Sequence, residues 1–166
     1  MLNVVLFEPE IPQNTGNIMR TCAATNVKLH LIEPLGFKLD KANIKRSGTN
    51  YIEFLDYVVY KNWDEFIAVN KGEFFYLSRY GNKVHSDIDF KKTKDDIYLI
   101  FGNESSGIAK EILEPNYERC FRMPMNEKVR TLNLSNTVSI MVYEVLRQLD
   151  YPGLLTEVKF DKNELK

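Results

Sequence analysis

The sequence predicts an α/β fold in which a mostly parallel sheet carries helices on both faces. Leu2 to Phe7 and Ile97 to Phe101 are short, continuous apolar runs, which is typical of buried strands. Helical patterns separate the predicted strands, and strands that alternate with helices favour a parallel sheet. Between Arg119 and Leu149 the hydrophobic period also changes from strand to helix spacing.

Composition favours a single domain that spans residues 1–166. At 166 residues and 44% hydrophobic, the chain is long enough for one well-buried core and short for two. Its 22 Lys and Arg nearly balance its 23 Asp and Glu, giving a net charge of −1. This balance argues against a protein that binds polyanions over its whole surface, but it allows a local basic patch.

The first strand is followed by a predicted helix. Asn14 or Thr15 is expected to cap this helix, which reaches about Asn26. We predict that Ile18, Cys22 and Thr25 face inward. We also predict that Asn17, Arg20 and Ala24 share a neighbouring face of this helix.

The next segment carries the most basic stretch of the chain. Lys28 to Ile32 alternates like a strand, and Asp40 is then expected to cap a short helix that ends at Gly48. This stretch contains four cationic residues, which are Lys38, Lys41, Lys45 and Arg46. They fit either a solvated charge cluster or a contact with nucleic acid.

The middle of the chain is predicted as strand, helix, strand and loop. Tyr57 to Tyr60 and Phe74 to Ser78 are predicted strands, and Asp64 to Val69 is a helix between them. The polar run 82–96 forms a loop with a possible small strand or turn at Val84 to Phe90.

Ligands of parallel sheets bind beyond the carboxyl ends of the strands. The loops after Phe7, Leu77, Phe101 and Met123 hold most of the suggestive polar groups. We therefore expect these four loops to open onto one edge of the sheet.

The carboxyl-terminal stretch is predicted as a strand from Cys120 to Met123, a loop from Pro124 to Leu132, and a long helix. Ile140 and Tyr143 lie outside the apolar stripe of this helix, so a second packing partner is needed. A second subunit and burial within one domain both remain open. The stripe consists of Leu134, Val138, Met141, Val142, Val145, Leu146 and Leu149.

Several common chemistries lack support. Gly102 and Gly107 match half of a phosphate loop, but Ile108 replaces its Lys and Glu104 would repel a triphosphate. The turn suits a neutral or cationic ligand better. No nicotinamide fingerprint or acyl-transfer Ser motif occurs, and neither His has metal-ligand spacing, so we predict no metal.

The two cysteines and the amino terminus fit an intracellular protein. Cys22 and Cys120 fall inside apolar patterns, so we expect them to be buried and free of disulfides. The first residues read as a strand rather than a signal peptide, and no apolar run approaches the roughly 20 residues of a membrane span. A cytoplasmic location is expected.

Three segments together resemble the SPOUT RNA 2′-O-methyltransferases. They are Asn14-Thr-Gly-Asn17-Ile-Met-Arg20, Leu99-Ile-Phe-Gly102-Asn-Glu104-Ser-Ser-Gly107-Ile, and Phe121-Arg-Met-Pro-Met with Thr131-Leu-Asn133-Leu-Ser135-Asn136. The opening from Glu8 to Asn17, the Ile32-Glu-Pro-Leu-Gly-Phe run and Arg46-Ser-Gly are similar to small bacterial members that methylate the wobble nucleotide of tRNA-Leu. The resemblance covers roughly residues 1–153 and keeps the motifs in order.

The resemblance implies a deep trefoil knot at the carboxyl-terminal end, a homodimer, and S-adenosyl-methionine bound bent within the knot. The implied substrate is the ribose of nucleotide 34, a cytidine or a cmnm5-uridine, in tRNA-Leu. The alternatives are another tRNA or rRNA site, or a noncatalytic RNA-binding protein of the same fold.

The resemblance also assigns residues. Arg20 matches the catalytic arginine, with Asn17 and Asn133 helping to place it, and Thr131 stands where many members carry Ser. Lys41, Lys45, Arg46 and Arg130 are candidate RNA contacts because of their charge. The implied cofactor-contacting positions and their neighbours are Leu77, Gly102, Glu104, Met123, Thr131, Leu134, Ser135 and Asn136.

Overall fold

A computed structural model of the protein describes residues 1–39 and 52–157. Its strands are β1 (Leu2–Phe7), β2 (Lys28–Ile32), β3 (Tyr57–Tyr60), β4 (Glu73–Leu77), β5 (Lys83–Val84), β6 (Ile97–Phe101) and β7 (Cys120–Arg122). They form one sheet in the order β3-β2-β1-β6-β4-β7-β5, and every pairing between these strands is parallel. The predicted parallel sheet is therefore confirmed.

The helices of the described residues are α1 (Pro12–Thr25), α2 (Trp63–Val69), α3 (Lys110–Leu113) and α4 (Leu134–Gln148). Short 3-10 helices occupy Ile52–Phe54, His85–Asp87, Phe90–Lys92 and Glu114–Arg119. The predicted strands and the helices now called α1, α2 and α4 are confirmed, with ends shifted by a few residues at most. The helix predicted from Asp40 to Gly48 lies outside the described residues.

The sheet separates two hydrophobic cores because successive strand residues point to opposite faces. On β1, Val4 and Leu6 belong to the core that α1 and α4 cover. Val5 belongs to the other core, which contains Phe66 of α2 and Ile112 of α3. Helices therefore lie on both faces, as the sequence predicts.

The start of α1 differs from the prediction. The helix begins at Pro12, its preceding residue Ile11 makes no side-chain cap, and Asn14 and Thr15 are buried within the first turn. Proline is favoured at the first helical position, because its fixed φ suits the helix and its missing N–H has no partner there. The prediction that Asn14 or Thr15 caps the helix is wrong, and Asn14 is available for another contact.

Helix α4 packs beside α1 and leaves two large side chains exposed. The predicted stripe is buried or half-buried against the core. Thr21 Oγ1 of α1 lies 3.0 Å from Ser139 Oγ of α4. Ile140 is 44% and Tyr143 49% exposed, so the described residues leave about half of each of these residues uncovered.

His30 on β2 is a buried structural residue. Its Nδ1 lies 3.0 Å from the Tyr60 hydroxyl, and its Nε2 lies 3.1 Å from Asn3 Oδ1. Since Asn3 Nδ2 donates to the Ile97 carbonyl, Asn3 Oδ1 accepts, and His30 Nε2 carries the proton of the neutral ring. Burial lowers the pKa of His30 to about 4.

The low pKa of His30 predicts a loss of stability in mild acid. Unfolded His30 binds a proton near pH 6.5 and the folded residue only near pH 4, so stability falls as pH drops through this window. We expect this residue to contribute a loss of about 2 kcal/mol between pH 7.5 and pH 5, from about 1.4 kcal/mol per pKa unit. Urea denaturation of the wild type and of His30→Gln at both pH values measures it. Equal losses in the two proteins would contradict the prediction.

Candidate active site

An open cleft of about 380 Å³ lies at the carboxyl-terminal ends of four parallel strands. Residues from the loops that follow β1, β4, β6 and β7, and from the start of α4, line it. The expectation that these four loops meet at one edge is therefore confirmed. The volume falls within the range of small-molecule sites, roughly 300–1,000 Å³.

The loop after β6 is closed tightly on itself. Asn103 N donates to the Gly107 carbonyl at 3.3 Å, and Gly107 N donates back to the Asn103 carbonyl at 3.1 Å. Asn103 Oδ1 also accepts from Ser106 N at 2.7 Å. A Cβ at Gly102 would overlap the backbone of Gly107 and Ile108. The loop therefore requires glycine at position 102 and presents a rigid backbone to the cleft.

Glu104 holds a fixed negative charge in the cleft wall. Its Oε2 accepts from Glu10 N at 2.9 Å and its Oε1 accepts from Asn14 Nδ2 at 2.8 Å. Asn14 Oδ1 in turn accepts from Asn133 Nδ2 at 2.9 Å. This hydrogen-bond network joins the loop after β6, the first turn of α1 and the start of α4. A carboxylate held in this way favours a cationic ligand nearby.

Asn133 caps α4 and connects it to the cleft. Its Oδ1 accepts from Ser135 N at 2.9 Å, from Ser135 Oγ at 2.6 Å and from Asn136 N at 3.3 Å. Asn133 is thus the N-cap that satisfies the first free N–H groups of α4. Asn133 Oδ1 caps the helix, while Asn133 Nδ2 donates to Asn14 Oδ1. The cap therefore also fixes the orientation of the Asn14 side chain.

Comparison with known proteins identifies the family to which this chain belongs. Residues 1–143 match the SpoU rRNA Methylase family. The chain belongs to this family. A Bacillus subtilis protein, provisionally named a tRNA (cytidine(34)-2′-O)-methyltransferase, is 50% identical over 154 residues, which cover 92% of this chain and 96% of that protein.

Two further relatives support the assignment to this family. The Escherichia coli tRNA (cytidine(34)-2′-O)-methyltransferase is 44% identical over 155 residues, covering 92% of this chain and 97% of that protein. The crystal structure of a Bacillus anthracis protein, provisionally described as an RNA methyltransferase, is 49% identical and superposes with a TM-score of 0.90. That superposition covers 95% of this chain and 100% of the other.

Most residues that the SPOUT resemblance assigns to the cofactor line the cleft of this SpoU family member. Ser135 and Asn136 are the two exceptions, and their backbone N–H groups donate to Asn133 Oδ1. Arg130 and Asn133, which were assigned to RNA and to placing the catalytic arginine, also line it. The assigned cofactor positions in the lining are Leu77, Gly102, Glu104, Met123, Thr131 and Leu134.

The two residues assigned to catalysis on α1 do not line the cleft. Asn17 and Arg20 are exposed on α1, and neither is among the described residues that line the cleft. The candidate RNA contacts Lys41, Lys45 and Arg46 lie outside the described residues. The structure therefore does not bring Arg20 to the cleft of its own chain.

Sequence reasoning missed several lining residues. Asn14 was named as a helix cap and as part of a family motif, Ser78 was predicted to end a strand, and Arg79 and Tyr80 were assigned no role, although all four line the cleft. Their position after a predicted parallel strand was the available signal, because such loops surround the ligand sites of parallel sheets.

The described residues offer little for metal or thiol chemistry. Among them, no group of three or more His, Cys, Asp or Glu is arranged to hold a metal ion. Burial raises the pKa of the Cys22 thiol to about 12 and also raises the pKa of Cys120, so both stay protonated at neutral pH. None of the described helices combines the length and apolar character needed to cross a membrane.

Proposed function

We propose that this protein is a tRNA 2′-O-methyltransferase that uses S-adenosyl-methionine and acts on the ribose of cytidine 34. The main support for this proposal is the hydrogen-bond network at the cleft. Asn14 bonds to both Glu104 and Asn133, and these three residues come from the three sequence motifs that resemble a methylase family. Relatives with 50% and 44% identity over nearly their whole length carry the same activity in their names. The choice of tRNA-Leu, and of a cmnm5-uridine as a second target, rests on the sequence resemblance.

The cleft suits S-adenosyl-methionine. Its glycine loop closes tightly because Gly102 has no side chain, and Glu104 places negative charge in the same loop. Leu77, Met123 and Leu134 supply apolar surface for an adenine ring. When bound, the cofactor supplies a methyl group activated on a positively charged sulfonium.

The protein acts chiefly by positioning. Holding the ribose oxygen in line with the methyl group means that the two reactants no longer have to meet by diffusion in the right orientation. This positioning lowers the activation free energy by up to roughly 7 to 11 kcal/mol in good cases. The 2′-hydroxyl must lose its proton as its oxygen gains the methyl group. A guanidinium has a pKa above about 12 and is a donor only, so Arg20 is a poor base. We assign Arg20 to the adjacent phosphate and the forming alkoxide, with water or the phosphate accepting the proton.

We infer that a second copy of the chain brings Arg20 to the cleft. Arg20 and Ala24 are exposed on α1, and Ile140 and Tyr143 are exposed on the neighbouring α4. The Thr21–Ser139 contact holds these two helices side by side, so the four residues lie on adjoining helices. Large apolar side chains on such a surface favour an interface. A homodimer would cover them and let Arg20 act on the partner's cofactor.

The remaining assignments are part of the same proposal. Arg130 at the cleft, with Lys41, Lys45 and Arg46, would contact the tRNA backbone, since Lys and Arg neutralise phosphates. Residues 1–166 would form one SPOUT domain with a carboxyl-terminal trefoil knot, working in the cytoplasm. The proposed knot rests on the sequence resemblance. In the sheet, β6 lies between β1 and β4, and β7 lies between β4 and β5.

Mass spectrometry of anticodon-loop fragments tests the proposed reaction. Purified protein with S-adenosyl-methionine and a tRNA-Leu transcript should add one methyl group to nucleotide 34. A transcript with a 2′-deoxy nucleotide at position 34 is the matched control and should gain none. Methylation of the deoxy transcript, or of another nucleotide, would contradict the assignment. RNA binding without calorimetric binding of S-adenosyl-methionine would instead favour a noncatalytic RNA-binding protein.

A further inference from the structure

The turn from Ser78 to Gly81 is firmly anchored at the rim of the cleft. Ser78 N donates to the Phe121 carbonyl at 2.9 Å, and Gly81 N donates to the Ser78 carbonyl at 3.1 Å. Tyr80 N also donates to Ser78 Oγ at 3.3 Å. A Cβ at Gly81 would overlap the Phe121 backbone, so this turn is pressed against β7. Its side chains therefore project from a fixed base.

Tyr80 presents a large aromatic ring from this turn. Tyr80 lines the cleft and yet is 59% exposed. The Arg79 guanidinium lies over it, with Cζ 4.7 Å from the ring centroid, and Arg79 Nη2 donates to the Tyr80 hydroxyl. A cation over one face and a hydrogen bond at the tip restrict the ring while leaving much of its surface open.

We propose that Tyr80 is a substrate-binding residue that stacks on the base of the nucleotide to be methylated. This inference rests on the proposed function, because the base is joined to the ribose that must enter the cleft. Unpaired bases of RNA loops are commonly recognised by stacking on aromatic side chains. An open ring at the entrance of the cleft offers such a surface, and Arg79 adds a positive charge for the RNA backbone beside it.

The alternative partner for the ring is the adenine of the cofactor, and two features disfavour it. Leu77, Met123 and Leu134 already provide an apolar lining for adenine, whereas Tyr80 is mostly exposed to solvent. Arg79 also places positive charge next to the ring, which attracts a polyanion more strongly than a neutral adenine. Both features fit a ligand that arrives from solvent with phosphates attached.

Base removal combined with mutation tests the stacking directly. The substrates are an anticodon stem-loop RNA with cytidine at position 34 and the same RNA with an abasic ribose there. The variants are Tyr80→Leu, which removes the ring, and Tyr80→Phe, which keeps it. Tyr117→Leu is the matched control, since Tyr117 is 45% exposed and is not among the residues that line the cleft.

For the intact RNA, we expect Tyr80→Leu to raise KM and the dissociation constant about tenfold, as loss of one stacked base does. Tyr80→Phe and Tyr117→Leu should stay within about twofold of wild type. The abasic RNA should bind wild type and Tyr80→Leu equally, because the stacking partner is already missing. Calorimetric affinity for S-adenosyl-methionine should be unchanged in all variants.

The outcomes separate the possible failures. If Tyr80→Leu weakens S-adenosyl-methionine binding and leaves RNA binding unchanged, the ring serves the cofactor and the inference is wrong. If the wild type and Tyr80→Leu bind intact RNA equally, Tyr80 stacks on no base. If the wild type transfers no methyl group, the proposed function fails, while the two RNA binding constants still decide the role of Tyr80.

Discussion

Gly102→Ala is expected to weaken S-adenosyl-methionine binding by up to about a hundredfold. The added methyl group would overlap the backbone of Gly107 and Ile108, which leaves the loop no room to close. Overpacking costs up to about 3 kcal/mol, and each 1.4 kcal/mol corresponds to a tenfold change in affinity. Isothermal titration calorimetry with S-adenosyl-methionine measures the change, and urea denaturation shows whether the domain still folds.

Gly107→Ala is the control within the same loop. Gly107 has a φ of +76°, but a Cβ there meets no atom within 4 Å. This substitution brings backbone strain of roughly 1 to 2 kcal/mol without overlap. We expect cofactor affinity to fall by at most about five- to thirtyfold. Equal losses in the two variants would mean that loop strain, rather than the contact at Gly102, governs binding.

Arg20→Ala is expected to lower the rate of methyl transfer about 100- to 1,000-fold, the usual effect of removing a donor that stabilises developing charge. Calorimetric affinity for S-adenosyl-methionine should be unchanged, because Arg20 is exposed on α1 and is not among the described residues that line the cleft. Single-turnover rates with tRNA measure the effect. Full activity in Arg20→Lys would contradict any role that needs the guanidinium.

The pH dependence of the rate separates two roles for Arg20. If Arg20 were the base, the rate would climb with pH along a limb that Arg20→Lys displaces or removes. If Arg20 holds the phosphate and the forming alkoxide, the limb should keep its position in Arg20→Lys while the rate falls throughout. Single-turnover rates of both proteins across a range of pH decide between these outcomes.

Mixing two impaired variants, Arg20→Ala and Gly102→Ala, tests whether Arg20 acts across subunits. A mixed dimer of Arg20→Ala and Gly102→Ala would contain one site with an intact glycine loop and, from the partner, an intact Arg20. Action across subunits therefore predicts recovery of activity when the two proteins are unfolded and refolded together. If the mixture stays inactive while analytical ultracentrifugation shows mixed dimers, Arg20 acts within its own chain.

The sequence by itself determined most of the secondary structure. The apolar runs of β1 and β6 coincide with the observed strands, and the α4 stripe from Val138 to Leu146 is buried as its spacing predicts. These features are local, because the hydrophobic period of a segment reports which of its faces is buried. The start of α1 was mispredicted because Pro12 suits the first helical position better than Asn14 suits a cap.

The sequence also located the cleft, because loops after parallel strands share one edge of the sheet. Only the tertiary structure decided how its residues meet. Asn14 bonds to Glu104 across 90 positions and to Asn133 across 119, and no periodic pattern encodes such contacts. The same holds for Tyr80, which the packing of Gly81 against Phe121 brings to the cleft. Local patterns record burial, whereas the partner of a polar side chain depends on which distant loops the sheet order makes neighbours.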